Sequence, residues 1–226
     1  MKFLEYTPLA RINAYLSTVN LGDSLLKGHL EAYSCKGAGL DKKHFRELEQ
    51  EVIDSLVSSP SNLSISPVGP LSSSTSRKTF IYLVLAMNQV YPDYDFRLLH
   101  PSSFEKEDFE SVKLNVDNYL LETAKVWACE FGEDSSLCNV IWEAIDEVIV
   151  IEDCDVYCYK PESENDDFTD RGTIWSFSYF FYNRKLKRIL CFCCQCLSKL
   201  AIDDDSLEDI CSEEETEYYF EGMDMD

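Results

Sequence analysis

Between residues 173 and 197 the chain reads TIWSFSYFFYNRKLKRILCFCCQCL. Two runs rich in aromatic, aliphatic and sulfur-containing side chains are joined by the short polar stretch NRKLK. Two β-rich runs with a tight polar joint specify an antiparallel hairpin. Side chains alternate along a strand, so Trp175, Phe177, Tyr179 and Phe181 share one face, and Phe180 and Tyr182 share the other. One face must cover a core, which makes most of these rings structural. The exposed remainder is a candidate contact surface, because Trp, Tyr and Arg are the residue types that anchor interfaces. Arg184, Lys185, Lys187 and Arg188 fall at and just after the turn, where water or a partner reaches them. A membrane hairpin is excluded, because four cations in five residues flank an apolar segment too short to span.

The rest of the chain supplies helices and strands to pack on this hairpin. Phe3 and Leu4 open a short strand, and Thr7-Pro8 starts a helix with proline in the first turn. That helix sets Leu9, Ile12, Leu16 and Val19 on one side and stops near Gly22. Residues 24–36 read as a strand. Lys42 to Val57 forms an amphipathic helix through Phe45, Leu48, Val52, Ile53 and Leu56. The run SSPSNLSISPVGPLSSSTS (58–76) holds nine serines, three prolines and one glycine. Such a composition cannot bury enough surface to order itself, so it reads as a mobile insertion. Residues 80–87, FIYLVLAM, form a mostly buried helix ended by Tyr91-Pro92-Asp93, with a core strand as the alternative. Residues 104–147 are helical, with one stripe from Phe104, Phe109, Val112, Val116, Tyr119, Leu120 and Ala124. A second stripe runs through Val140, Ile141, Ala144, Ile145 and Val148, and GEDSS (132–136) breaks the two apart. From 149 the period switches to two as far as Pro161. Together the elements mix helices and strands, an α+β reading, with a mobile serine-rich insertion at about 40–75.

The charge is uneven. The net charge is −22, and residues 203–226 carry twelve Asp or Glu with no Lys or Arg, so the tail holds −12 and residues 1–202 hold −10. Asp203, Asp204, Asp205, Glu213, Glu214 and Glu215 lead this acidic, disordered-type tail. It repels duplex DNA, whose phosphates are bound by Lys and Arg, and suits a basic protein surface. Tyr218, Tyr219 and Phe220 inside it favour a docking segment over a purely solubilising one. The opening MKFLEYTPLARI lacks the apolar region of an export leader, and no run approaches the length of a membrane helix. Ten cysteines without such a leader point to free thiols in a reducing compartment.

No catalytic signature emerges. His29, His44 and His100 belong to no recognisable nucleophile arrangement, and the eight glycines form no phosphate-cradling loop. Cys191, Cys193, Cys194 and Cys196 alternate across a strand, so they meet one metal only if that strand breaks, with Cys154 and Cys158 as further ligands. They read better as small buried hydrophobes. Arg171-Gly172 followed by aromatics approaches an RNA-recognition strand, but Thr173 stands where the first stacking ring belongs. Neither a cofactor, a metal nor an enzymatic activity is expected. The serines Ser59, Ser61, Ser64, Ser66, Ser72, Ser73, Ser74 and Ser76 lie in the insertion, close to Arg77-Lys78, where kinases reach them.

Several segments together resemble the Maf repressors of RNA polymerase III transcription. They are MKFLE, LEAYSCK (30–36), SRKTFIYLVLAMNQVYPDYDF (76–96), WEAIDEVIVIEDCDVYCYKP (142–161), WSFSYFFYNRKLKRIL (175–190) and the terminal EGMDMD, which is similar to plant members. The chain departs from the pattern at HFRELE after Lys42-Lys43, at Cys158 and Lys160, and in its dense cysteine cluster. The resemblance implies a non-enzymatic, monomeric α/β (α+β) domain, 1–202, with a central antiparallel sheet flanked by helices and interrupted by the mobile insertion. It implies binding at the polymerase clamp and winged-helix subunits, which blocks recruitment by the TFIIB-related factor and TATA-binding protein. Kinases and phosphatases acting on the insertion then move the protein between nucleus and cytoplasm. Arg184, Lys185, Lys187, Arg188 and the tail acids are the candidate polymerase contacts, and neither DNA nor membrane is an expected partner. The competing reading is a non-catalytic protein- or RNA-binding module unrelated to polymerase III.

Overall fold

The structure, a computed structural model, describes residues 1–37, 40–58, 66–96, 99–132, 134–160 and 172–201. The hairpin forms its centre. Strands β6 (Thr173–Asn183) and β7 (Arg188–Ser198) pair antiparallel from Asn183↔Arg188 to Thr173↔Leu197, with one irregularity between Thr173 and Trp175. Strand β3 (Ser24–Ser34) pairs along the other edge of β7 in unbroken register from Ser24↔Ser198 to Ser34↔Arg188. Strands β1 (Lys2–Leu4) and β2 (Val19–Asn20) add to β3, while β5 (Cys154–Tyr159) and β4 (Phe104–Glu107) extend the sheet beyond β6. The result is a seven-stranded antiparallel sheet in the order β1-β3-β7-β6-β5-β4, with β2 alongside β3.

Helices cover both faces. On one side lie α1 (Thr7–Leu16), α4 (Phe109–Tyr119), α5 (Leu121–Phe131) and α6 (Leu137–Ile149). Their Leu9, Ile12, Val112, Val116, Ile141 and Ile145 share a core with Phe177, Phe181, Leu190 and Phe192. On the other side α2 (Leu40–Ser58) and α3 (Ser74–Val90) pack on Phe180, Tyr182, Ile189 and Cys191 through Leu48, Phe80, Leu83, Val84 and Met87. Antiparallel sheets often leave one face to water, which gives alternating polar and apolar residues. Here both faces of the hairpin are dry, and Phe177–Asn183 and Ile189–Cys194 are buried without a break. The expectation of an exposed face on the hairpin is therefore corrected: from Phe177 to Asn183 every residue of β6 is buried. Only the start of the strand stays accessible, with Ile174 exposed and Trp175 half-buried.

Two further expectations change. Phe104 is not helical: Pro101–Ser103 forms a single 3-10 turn, Phe104 then enters β4, and Asp108 caps α4 by accepting a hydrogen bond from the Glu110 amide. Tyr119 leaves the core stripe and lies exposed, its ring 4.8 Å from that of Trp175. The insertion is partly folded in its described residues. Leu40–Ser58 is helix, and the turn over 66–73 seats Val68 and Leu71 in the core beside α3.

Asn183 closes the hairpin from inside. Fully buried, it donates from Nδ2 to the Ile149 carbonyl at 2.8 Å and accepts from the Leu186 amide at 2.9 Å. The turn is thereby tied to the end of α6, and both halves of the side-chain amide are satisfied.

At Gly28 the β3–β7 contact leaves no room for a side chain: an added Cβ would lie 2.5 Å from Cys194 Sγ and 3.3 Å from the Cys193 carbonyl oxygen. Overpacking of that kind costs about 1–3 kcal/mol. Gly28→Ala is expected to lower the melting temperature by several degrees, and adding Cys194→Ala should restore part of the loss by removing the sulfur. Thermal denaturation of the single and double variants checks this.

Candidate functional site

The hairpin tip gathers the sequence-predicted cations, but most are already engaged. Arg184 Nη2 lies 3.0 Å from Asp155 Oδ2, and Lys106 Nζ lies 2.6 Å from Asp155 Oδ1. Lys185 pairs with Asp153, and that hydrogen bond raises the Lys185 pKa above its ordinary value. Arg188 donates from Nη1 to the Val148 carbonyl at 3.0 Å and sets its guanidinium 5.8 Å from the Tyr6 ring centroid. The turn thus presents alternating charge rather than a bare basic patch. Exposed pairs of this kind contribute about 0–1 kcal/mol, so a partner can exchange them at small cost.

Lys187 differs from its neighbours. It is exposed, and among the described residues its ammonium has no hydrogen-bond or ion-pair partner. Its φ of 54° is left-handed, while its carbonyl accepts from the Cys35 amide at 2.9 Å. A left-handed turn position favours Gly or Asn, and a lysine there is backbone strain retained on the surface.

The candidate serines separate by environment. Ser59, Ser61 and Ser64 lie outside the described residues. Ser66 donates to the Gly69 carbonyl at 2.6 Å, and Ser76 is buried against that turn. Ser73 caps α3, its hydroxyl accepting from the Thr75 amide at 3.3 Å. Ser72 and Ser74 are exposed at the same helix start. Arg77 bridges this region, donating from Nη1 to the Leu71 and Ser72 carbonyls at 2.9 Å each, with Nε 3.8 Å from Glu49 of α2. The tail acids Asp203, Asp204, Asp205, Glu213, Glu214 and Glu215 also lie outside the described residues.

The cysteine strand is continuous. Cys191 and Cys193 face the α3 side, and Cys194 and Cys196 point the other way, so the four do not converge. Among the described residues no three His, Cys, Asp or Glu side chains are placed to hold a metal ion. All nine described cysteines are free thiols, and burial pushes the Cys35, Cys138, Cys154 and Cys158 thiols up to about 12. Among the described residues no helix is long and apolar enough to cross a membrane.

The described residues form an α+β domain, a seven-stranded antiparallel sheet between two helical layers with ion-paired charge at its hairpin tip. The comparisons with known proteins place this domain in a family. A model of the Maf1 regulator family matches residues 26–193, from β3 to most of β7. The chain is 35% identical to the "Repressor of RNA polymerase III transcription" of Dictyostelium discoideum, over 100% of this chain and 97% of that protein. It is 38% identical to "Repressor of RNA polymerase III transcription maf1" of Schizosaccharomyces pombe, over 84% of this chain and 80% of the other. A crystal structure of citrus MAF1 superimposes with a TM-score of 0.71 at 42% identity, covering 85% of this chain and all of that one. The chain belongs to the Maf1 regulator family.

Because the left-handed strain at Lys187 is local, Lys187→Asn is expected to stabilise the fold by about 1 kcal/mol and to raise the melting temperature by a few degrees. Differential scanning calorimetry of the variant against wild type measures this.

Proposed function

We propose that this protein represses transcription by RNA polymerase III through steric occlusion, without catalysis. The observation that carries this reading is the similarity, over essentially the whole chain, to a protein named as a repressor of that polymerase's transcription. The repressor binds the polymerase clamp and the winged-helix subunits beside it, and so blocks recruitment by the TFIIB-related factor and TATA-binding protein. The hairpin tip supplies exchangeable charge for that contact, with Lys187 the tip cation that has neither an ion pair nor a side-chain hydrogen bond among the described residues. The acidic tail, at −12, engages basic surfaces that otherwise face DNA.

Control by kinases and phosphatases has a physical route at the start of α3. A phosphate on Ser72 or Ser74 adds about −1.5 to −2 charges beside Arg77 and Lys78. It draws the Arg77 guanidinium from Glu49 and loosens α2 against α3. The phosphorylated form is held inactive in the cytoplasm, and the dephosphorylated form represses in the nucleus. An RNA platform is disfavoured, because helices cover both faces of the aromatic strand that bases would stack on.

Two measurements test this. Dephosphorylated protein should retain purified polymerase III in a pull-down, and no retention by demonstrably folded protein would overturn the proposal. Ser72→Asp with Ser74→Asp should weaken repression several-fold in a reconstituted transcription assay. Full repression by that variant would sink the phosphate route while leaving the binding proposal standing.

A further inference from the structure

The sequence associates none of the three histidines with a nucleophile, but the fold does. In the β3–β7 register His29 sits directly opposite Cys193, and both side chains point to the α3 side of the sheet. The imidazole and Tyr91, which follows α3, line the same cavity as Cys193. Tyr91 Oη is 3.0 Å from Ser178 Oγ on β6, and the Tyr91 ring meets the His29 ring edge-on at 6.3 Å between centroids. These groups wall a cavity of about 180 Å³ whose remaining lining is mostly polar, including Lys27, Ser176 and Gln195. His29 Nε2 is fully enclosed, yet it meets no hydrogen-bond partner among the described residues.

Such an arrangement requires an explanation, because a buried polar atom without a partner costs about 1–3 kcal/mol. The cavity is smaller than the roughly 300–1,000 Å³ typical of sites for organic ligands. At about 30 Å³ per water it has room for only a few small polar molecules. Cys193 is 2% exposed, so bulky reagents do not reach its sulfur.

We propose that Cys193, paired with His29, is a modification site for hydrogen peroxide. His29 takes the Cys193 thiol proton as the sulfur attacks one peroxide oxygen; the S–O bond forms as the O–O bond breaks. Sulfur is oxidised to the sulfenic acid and the peroxide is reduced. The departing hydroxide takes the imidazolium proton of His29 and leaves as water. Burial by itself would lower the His29 pKa, but Cys193 beside it and Glu31 on the same strand outweigh burial and raise it, which favours the proton donor. The other titratable groups facing the pair are Lys27 on β3, Cys191 on β7, and Tyr91 and Tyr94 after α3. Tyr91 stays protonated, since burial and the nearby Cys193 both raise its pKa. Glu31 already accepts a hydrogen bond from Tyr33.

Exposed Cys129 supplies an internal standard for an ordinary thiol. The full chain is treated with sub-stoichiometric hydrogen peroxide at pH 6.5, quenched with catalase, unfolded in denaturant that contains a dimedone probe, and mapped by mass spectrometry. Cys193 should be oxidised at least tenfold faster than Cys129. His29→Gln and His29→Asn, each confirmed folded by melting temperature, should lower the Cys193 rate to that of Cys129 or below. Oxidation of Cys129 ahead of Cys193 in the wild type, or the same Cys193 rate with and without His29, would overturn the proposal.

Discussion

The structure depends on the three-strand ladder β3–β7–β6. Strand β7 is paired along its length on both edges, with Ser24 to Ser34 on one side and Thr173 to Asn183 on the other. It pairs with β3 across more than 150 positions of sequence and gives both helical layers their floor. Because each face of this ladder is covered, a one-residue slip in register would exchange Phe177, Phe181 and Phe192 with Phe180, Tyr182 and Cys191, and mismatch both cores at once. Gly28, mid-ladder opposite Cys194, leaves room for that sulfur, and Asn183 ties the turn to α6 at the ladder's end.

This frame explains how rigidity and accessibility are divided. Aromatic and sulfur side chains fill the interior, where they bury large apolar area and leave little for a partner to touch. Charge stays on the surface, along the outer helices, at the tip of β6–β7, among the acids at the start of β5, and at the start of α3 near Ser72 and Ser74. The segments that carry the family resemblance are largely the scaffold, since 76–96 is mostly α3, 142–161 is α6 with β5, and 175–190 is the hairpin. Resemblance strong enough to place the chain in a family therefore says little by itself about which side chains meet a partner.

Much of the fold was legible in the sequence, for identifiable reasons. The alternation in TIWSFSYFFYN and the tight polar joint specified the hairpin, and Thr7-Pro8, the run 80–87 and the stripe ending at Val148 marked α1, α3 and α6. Strand β4 was missed because FEKE is only four residues long and abuts a capped helix, so its single buried Phe104 falls into a helical stripe. Tyr119 was misplaced because the chain turns at Leu120 between α4 and α5, with no glycine or proline to mark the break. Dryness on both sides of the sheet was not readable from β6 alone, since it requires α3 to pack opposite α6. The site was less legible than the fold. Local sequence gave the cations at 184–188 but not their partners Asp153 and Asp155, which come from a different strand connection. The approach of His29 to Cys193 depends on a pairing across 164 positions that no local signal encodes.

The central claim is that the aromatic hairpin is scaffold and its charged turn is the contact. Hydrogen–deuterium exchange of the full chain, free and bound to RNA polymerase III, tests it most directly. Backbone amides at 184–187 should gain protection in the complex, while those within β6 and β7, already paired on both edges or buried, stay unchanged. Unaltered exchange at 184–187 in a saturated complex, or changes centred on 175–182, would contradict it.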